Sequence, residues 1–354
     1  MTIPLFLDTE TYCETPITNG THRYAEDAEI IMWQWAIDDG EVIVRDHDED
    51  ITDLLALLDD PQYEIVCHNT AFDRTVMRHN GIDIPVRRWF DTMVCAMAHS
   101  LPGALGTLCE ILGIPSDKAK DKEGKTWIQL FCKPQPKGRK VHRADKHTHP
   151  LEWQRFREYG KLDIVAMREI YKRLPRWNYR DAERALWELD QRINDRGVAM
   201  DTSLAHAAIR ASTRAQSEYA EQTVERTEGA VASTNQRDKL LAHVLEAYGV
   251  SLPDMTTATL ERRVEDPDLP VALRELLAIR LQASKTSVSK YKRVINGVNT
   301  DGRLRGLLAF CGALRTGRWA GRLLQPQNLP RPSLKNEAIE RGIEALKADA
   351  EDLI

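Results

Sequence analysis

Pro4-Leu5-Phe6-Leu7-Asp8-Thr9-Glu10-Thr11 is the stretch on which the reading of the first half of this chain turns. A short apolar run of strand-forming residues that stops abruptly at polar ones predicts a buried central strand whose C-terminal end reaches the surface. Side chains alternate across a strand, so Asp8 and Glu10, two apart, point to one face. Two carboxylates held that close repel each other, which raises a pKa or recruits a cation. A solvated strand end explains the same residues more simply, and one Asp-x-Glu does not decide between the two.

Two further stretches share this grammar. Tyr63-Glu64-Ile65-Val66-Cys67 reads as a second apolar strand, and His68-Asn69-Thr70-Ala71-Phe72-Asp73 as the polar turn after it. Asn69 or Thr70 is expected to cap a helix that runs through Val76 and Met77 and stops near Gly81. That puts Asp73 in the first helical turn, where an aspartate also answers the helix dipole. The third stretch, Tyr159-Gly160-Lys161-Leu162-Asp163, falls inside a helical pattern covering about 151–174. Tyr159 and Asp163, four apart, share a helix face, as they would on any amphipathic helix with a half-exposed tyrosine.

Segments 30–37 and 41–45 flank Asp38-Asp39-Gly40, a hairpin signal because Asp-Gly suits the tight turns between twisted strands. Helical patterns follow at 51–58, 91–98 and 105–112, so strands and helices are mixed and the class is α/β.

Taken in order, Asp8-Thr9-Glu10-Thr11, Asn69-Thr70-Ala71-Phe72-Asp73 and Tyr159-Gly160-Lys161-Leu162-Asp163 resemble the three motifs of the proofreading 3′-5′ exonuclease superfamily, in its tyrosine-containing branch. The resemblance implies a ribonuclease-H-like mixed sheet with the carboxylates meeting at one end. It implies Asp8, Glu10, Asp73, Tyr159 and Asp163 as catalytic residues and the four carboxylates as ligands of two Mg²⁺ (or Mn²⁺). In that scheme Asp8 bridges the ions, Glu10 and Asp163 complete one site, and Asp73 holds the second partly through water. Hard oxygen donors suit these metals, and two-metal phosphodiesterases set the ions about 3.5–4 Å apart. Tyr159 would orient the attacking water; a phenol titrating near about 10 is a poor base. Thr9, Asn69 and Phe72 are candidate DNA contacts, Thr9 and Phe72 at the terminal nucleotide.

The second half resembles another part of the same family. A proline at 175 interrupts the helical pattern, and helices are expected at 179–194, 202–227, 236–247, 257–264, 271–294 and 334–353. The stretch 186–201 resembles the join between exonuclease and thumb in family A DNA polymerases, with Gly197 ending a helix. Arg315-Thr316-Gly317-Arg318 and Gln327-Asn328-Leu329-Pro330 resemble the segment entering the palm of phage-type members, although Trp319-Ala320-Gly321 departs from the bacterial Leu-Ser-Ser. The resemblance implies Arg315, Arg318, Gln327 and Asn328 as DNA contacts, and Lys285 and Lys290 as phosphate contacts from the thumb. Arg139 and Lys140, in a basic stretch between the second and third motifs, join them as candidates for sequence-independent attachment. Trp127 and Phe131 nearby suit either base stacking or core packing.

The expected organisation is an exonuclease domain at 1–177, a mainly helical thumb-like domain at 178–300 and the start of a palm-like segment at 301–354. The family's polymerase carboxylates lie beyond that point, so the polymerase active site is expected to be absent from this chain. It is then a fragment or the partner of a separate palm and fingers chain.

With 354 residues the chain has room for two domains, and 42% apolar with 29% charged residues is ordinary for a soluble protein. No apolar run reaches membrane-spanning length and no secretion signal opens the chain, so no membrane partner and a cytoplasmic location, in a bacterium or phage-infected cell, are expected. Six cysteines lack paired spacing and read as reduced core residues without a zinc motif. The expected activity is release of nucleotides from DNA 3′ ends, on a single strand or a primer-template. An exonuclease acting on RNA, and a catalytically idle DNA-binding fragment, are the alternatives.

Overall fold

The computed structural model describes residues 2–115, 124–138, 141–285, 288–313, 315–329 and 331–350. Arg139 and Lys140 lie outside the described residues, as does the side chain of Lys285. The chain divides into two compact units, 1–200 with 297–329, and 201–296 with 330–354.

The first unit is built on β1 (Ile3–Tyr12), α1 (Thr21–Asp27), β2 (Glu29–Ile37), β3 (Ile43–Asp46), α2 (Thr52–Asp59), β4 (Tyr63–Cys67), α3 (Thr70–His79), β5 (Trp89–Asp91), α4 (Thr92–Ala98), α5 (Leu105–Ile111), α6 (Gly124–Phe131), α7 (Pro150–Arg173), α8 (Asp181–Arg196) and β6 (Val198–Ala199). Five strands form one mixed sheet in the order β3-β2-β1-β4-β5. The first three are antiparallel neighbours, whereas β4 runs parallel to β1 and β5 parallel to β4. Parallel pairing requires a crossover, and α3 lies between β4 and β5 to supply it. The central strand β1 is buried at Leu5, Phe6 and Leu7, as its apolar composition demands. Helix α7 crosses β1, β2 and β3 and delivers the third motif to the sheet.

Two apolar clusters hold this unit. The larger joins Leu5, Leu7, Trp35, Ile65, Val66 and Trp89 of the sheet to Val76, Met77, Ile164 and Ile170 of its helices. The smaller is aromatic, with Tyr12, Trp127, Phe131, Trp153, Phe156 and Tyr159. Trp127 and Phe131 are therefore core residues, 6% and 1% exposed, and do not offer a stacking surface. All six cysteines are buried free thiols.

The second unit contains α9 (Thr202–Arg226), α10 (Arg237–Tyr248), α11 (Thr257–Val264), α12 (Val271–Lys285) and most of α13 (Ser289–Gly297). Its core is Val231, Leu240, Val244, Leu260, Leu273, Leu276 and Leu277. The single helix expected over 271–294 is two, α12 ending at Lys285 and α13 starting at Ser289.

After α13 the chain forms β7 (Arg303–Leu304), β8 (Leu308–Ala313) and β9 (Arg318–Gly321), and then α14 (Asn336–Lys347), which packs on α9 in the second unit. Segment 297–329 groups with the first unit for visible reasons: β7 pairs with β6, and Asn194 exchanges two hydrogen bonds with the Leu308 backbone. Asn299 donates to the His22 carbonyl at 3.0 Å. Helix α8 stays with that unit too, because Asp195 takes a two-pronged ion pair from Arg74 on α3, at 2.7 and 2.9 Å. The compact units part near residue 200, and the proline at 175 ends α7 without ending the packing of α8 on the first unit. Gly197 closes α8 at φ +61°, where a Cβ would stand 2.6 Å from the Leu304 carbonyl.

Among the described residues, no helix is long and apolar enough to cross a membrane.

Candidate active site

Strand β1 presents Asp8 and Glu10 on the same face of the sheet, and Asp8 pairs in register with Gln34 of β2. A register shift follows Glu10, so the ladder ends its regular course at the acidic pair. Helix α7 brings Asp163 against them. One oxygen from each of Asp8, Glu10 and Asp163 lies within 4.8 Å of the others. Asp8 is half-buried, while Glu10 and Asp163 are 8% and 7% exposed. Three carboxylates crowded into so little water is an arrangement that a hard cation relieves.

Asp73 sits beside this trio and outside it. Its Oδ1 accepts from the Thr9 amide at 3.1 Å and the Thr9 hydroxyl at 2.7 Å, tying α3 to the strand residue between Asp8 and Glu10. Burial pushes its carboxyl up to about 7 against the pull of those two hydrogen bonds. Tyr159 is 2% exposed and stands beside the Asp163 carboxylate. Burial, and after it the charges of Asp163 and Glu10, drive the phenol far above its ordinary value. It is a proton-bearing group at every working pH.

The start of α3 differs from expectation. Asn69 stands at the N-cap in the left-handed region, φ +73°, and neither it nor Thr70 caps the helix with its side chain. Asp91, at the end of β5 and 1% exposed, does the work instead. Its carboxylate accepts from the Asn69 amide and from the Thr70 amide and hydroxyl, and it also caps α4 through Met93 and Val94. One buried aspartate therefore seats two helices. The helical pattern at 91–98 marks Asp91 only as the start of a helix; its hold on the turn 21 and 22 residues earlier is a tertiary contact.

A cleft of about 490 Å³ opens beside the acidic trio, lined by Thr9, Glu10, Tyr24, Phe72, Ile128 and Cys132 among others. The Phe72 ring leans on Tyr24 at 5.7 Å between centroids. Asn69 lines a different cavity of about 220 Å³, with His22, Asp190 and Phe310, that contains none of the trio. Arg315 and Arg318 are exposed at the β8–β9 turn, and Gln327 and Asn328 are exposed in a short 3₁₀ turn. Lys290 lies on α13, in the second unit.

A mixed sheet in this order, with carboxylates from its central strand and a crossing helix gathered at one end, defines a ribonuclease-H-like domain with an acidic hydrolase site. Residues 7–176 match the 3′-5′ exonuclease of family A DNA polymerases. The matched region holds the whole acidic site, and what it is similar to is a hydrolase of the 3′-5′ exonuclease kind. Over 350 residues the chain is 32% identical to the DNA polymerase of Bacillus phage SP02, covering 96% of this chain and 53% of that protein. The POL domain of Pol1 from M. smegmatis, solved in complex with DNA primer-template and dNTP, shares the fold with a TM-score of 0.57 at 15% identity, over 94% of this chain and 53% of that one. The chain thus spans about half the length of the polymerases it matches.

Proposed function

We propose that this chain removes nucleotides from DNA 3′ ends as the proofreading part of a family A polymerase, with Asp8, Glu10, Asp73, Tyr159 and Asp163 as its catalytic residues. The observation that carries the reading is the convergence of Asp8, Glu10 and Asp163 oxygens within 4.8 Å. An all-carboxylate donor set suits hard ions such as Mg²⁺ or Mn²⁺ better than softer ones. Asp8, Glu10 and Asp163 would hold one ion, and Asp8 with Asp73 a second. Such ions, when bound, stabilise the attacking and leaving oxygens of a phosphodiester displacement. Tyr159, protonated and beside Asp163, orients the attacking water by hydrogen bonding. Asp73 locks the Thr9 backbone, which sets the spacing of the two carboxylates on either side.

The cleft beside Glu10 takes the terminal nucleotide, with the Phe72 ring as an apolar wall. Arg315, Arg318, Gln327 and Asn328 contact the duplex, and Lys285, Lys290, Arg139 and Lys140 its phosphates. Residues 1–177 act as the exonuclease, 178–300 as a thumb and 301–354 as the entry to a palm. A palm and fingers module, in the same polypeptide or another, is the partner we infer, and the phage relative supports the cytoplasm of a bacterium or phage-infected cell as the setting.

The test is a ladder. With 5′-labelled single-stranded DNA, frayed duplex and RNA of one sequence, 3′ shortening of DNA that stops with EDTA or with Asp8→Ala supports the reading. Cleavage confined to RNA moves the substrate to ribonucleotides, and DNA binding without products marks an idle module.

A further inference from the structure

The α6 segment touches the proposed site at both of its ends, and no motif predicts it. At its start, a Cβ on Gly124 would stand 2.2 Å from Cε2 and 2.7 Å from Cζ of Tyr159, so the helix backbone lies flat on the tyrosine ring beside its hydroxyl. Just past its last residue, the Cys132 thiol donates to Glu10 Oε2 at 3.7 Å. The Cys132 carbonyl also accepts from the Cys13 amide at 3.3 Å, which anchors that end to the residue just past β1. Between the two ends, Phe131 stacks on Phe156 at 5.2 Å, and Phe156 lies nearly parallel to Tyr159, 6.1 Å between centroids and 6° between planes. Trp153 closes the cluster edge-on to Phe131 at 5.0 Å.

A helix held by a rigid aromatic stack, meeting the tyrosine at one end and a metal-ligating glutamate at the other, is built to fix both. We propose that α6 is a brace, with Gly124 and Cys132 as positioning residues: Gly124 holds the Tyr159 hydroxyl in register with Asp163, and Cys132 orients the Glu10 carboxylate. Neither touches the reacting atoms. Gly124 acts by its lack of a side chain, because any Cβ must push the ring and with it the hydroxyl. Cys132 acts as a donor to a ligand, the role an outer hydrogen bond plays around many metal sites. The brace rests on the exonuclease reading above.

The experiment combines steady-state kinetics on a 5′-labelled single strand with Mn²⁺ binding to the full chain, followed by the EPR signal of the free ion. Gly124→Ala should lower kcat by about 10- to 100-fold, the scale of a misplacement near 1 Å, with KM and Mn²⁺ affinity unchanged. In a Tyr159→Phe background the same substitution should cost nothing further, because the hydroxyl it displaces is gone. Cys132→Ala should weaken Mn²⁺ binding about 10-fold, and Cys132→Ser, which restores a donor, should recover most of it. Melting curves check that each variant folds, and if Gly124→Ala does not, the Cys132 pair decides by metal binding alone. An additive effect in the Tyr159→Phe background, or Cys132 variants that bind Mn²⁺ as wild type does, overturns the brace. An active wild type impaired by Tyr159→Phe but indifferent to Gly124→Ala also overturns the brace and leaves the exonuclease reading standing. A wild type without activity overturns both.

Discussion

Replacing Gly160 with alanine should damage metal binding more than it damages the fold. Gly160 is buried on α7 between Tyr159 and the turn that carries Asp163, and its α-carbon faces Gln34 of β2. A Cβ there would lie 2.5 Å from Gln34 Nε2 and 2.9 Å from its Cδ, whereas ordinary contact begins at 3.4 Å. The difference, 3.4 − 2.5, is 0.9 Å that the helix or the glutamine must yield. Gln34 is 0% exposed and pairs in register with Asp8, so it has no solvent to swing into and any movement is passed to the acidic strand. Overpacking of this kind costs about 1–3 kcal/mol, and alanine's better helix propensity returns about 1 kcal/mol. The net loss of stability is therefore about 0–2 kcal/mol. Metal–ligand distances tolerate only about 0.2 Å, so a shift several times larger between α7 and β1 should cut Mn²⁺ affinity at least about 10-fold, or 1.4 kcal/mol. Urea unfolding measures the first quantity and Mn²⁺ titration the second. A Gly160→Ala protein that binds Mn²⁺ as tightly as wild type refutes the argument that this contact sets the acidic cluster.

Three further outcomes follow from the geometry. Asp91→Ala strips the acceptor from four backbone amides at two helix starts, and with its carboxylate 1% exposed the loss should be about 2–4 kcal/mol in urea unfolding; a loss below about 0.5 kcal/mol would contradict the double cap. His22 is held down to about 3 by burial, which outweighs the opposing pull of Asp195, 3.9 Å away. The unfolded chain takes up the proton below about 6.5 that the folded one refuses, so stability should fall by roughly 1–2 kcal/mol from pH 7 to pH 5; His22→Gln should flatten that slope, and an unchanged slope assigns it to other groups. Mg²⁺ at ten times its dissociation constant should stabilise the protein by about 1.4 kcal/mol, read as a rise in Tm that EDTA reverses and Asp8→Ala abolishes.

The α/β class and the ribonuclease-H-like sheet were legible because β1 and β4 are short apolar runs ending in polar residues, and because the three motifs resemble one family. The strand order was not, since periodicity says which face of a strand is buried and nothing about its neighbour. The Asp8–Glu10 pairing on one face followed from a period of two, whereas the approach of Asp163 depends on how α7 crosses the sheet. Asp91 and Gly160 show where local reading stops: one residue caps two helices from two places in the chain, and the other matters through a contact 126 positions away, from Gln34 to Gly160. The return of 297–329 to the first unit is of the same kind, resting on Asn299 with His22 and Asn194 with Leu308. No local pattern encodes those pairs.

The most direct test of the account is a crystal of this chain soaked with Mn²⁺ and a deoxynucleoside 5′-monophosphate, with diffraction collected at the manganese absorption edge. An anomalous peak is expected among Asp8, Glu10 and Asp163, with the phosphate against it and the nucleoside in the cleft beside Phe72. Manganese bound elsewhere, or a nucleotide seated away from the three carboxylates, would contradict it.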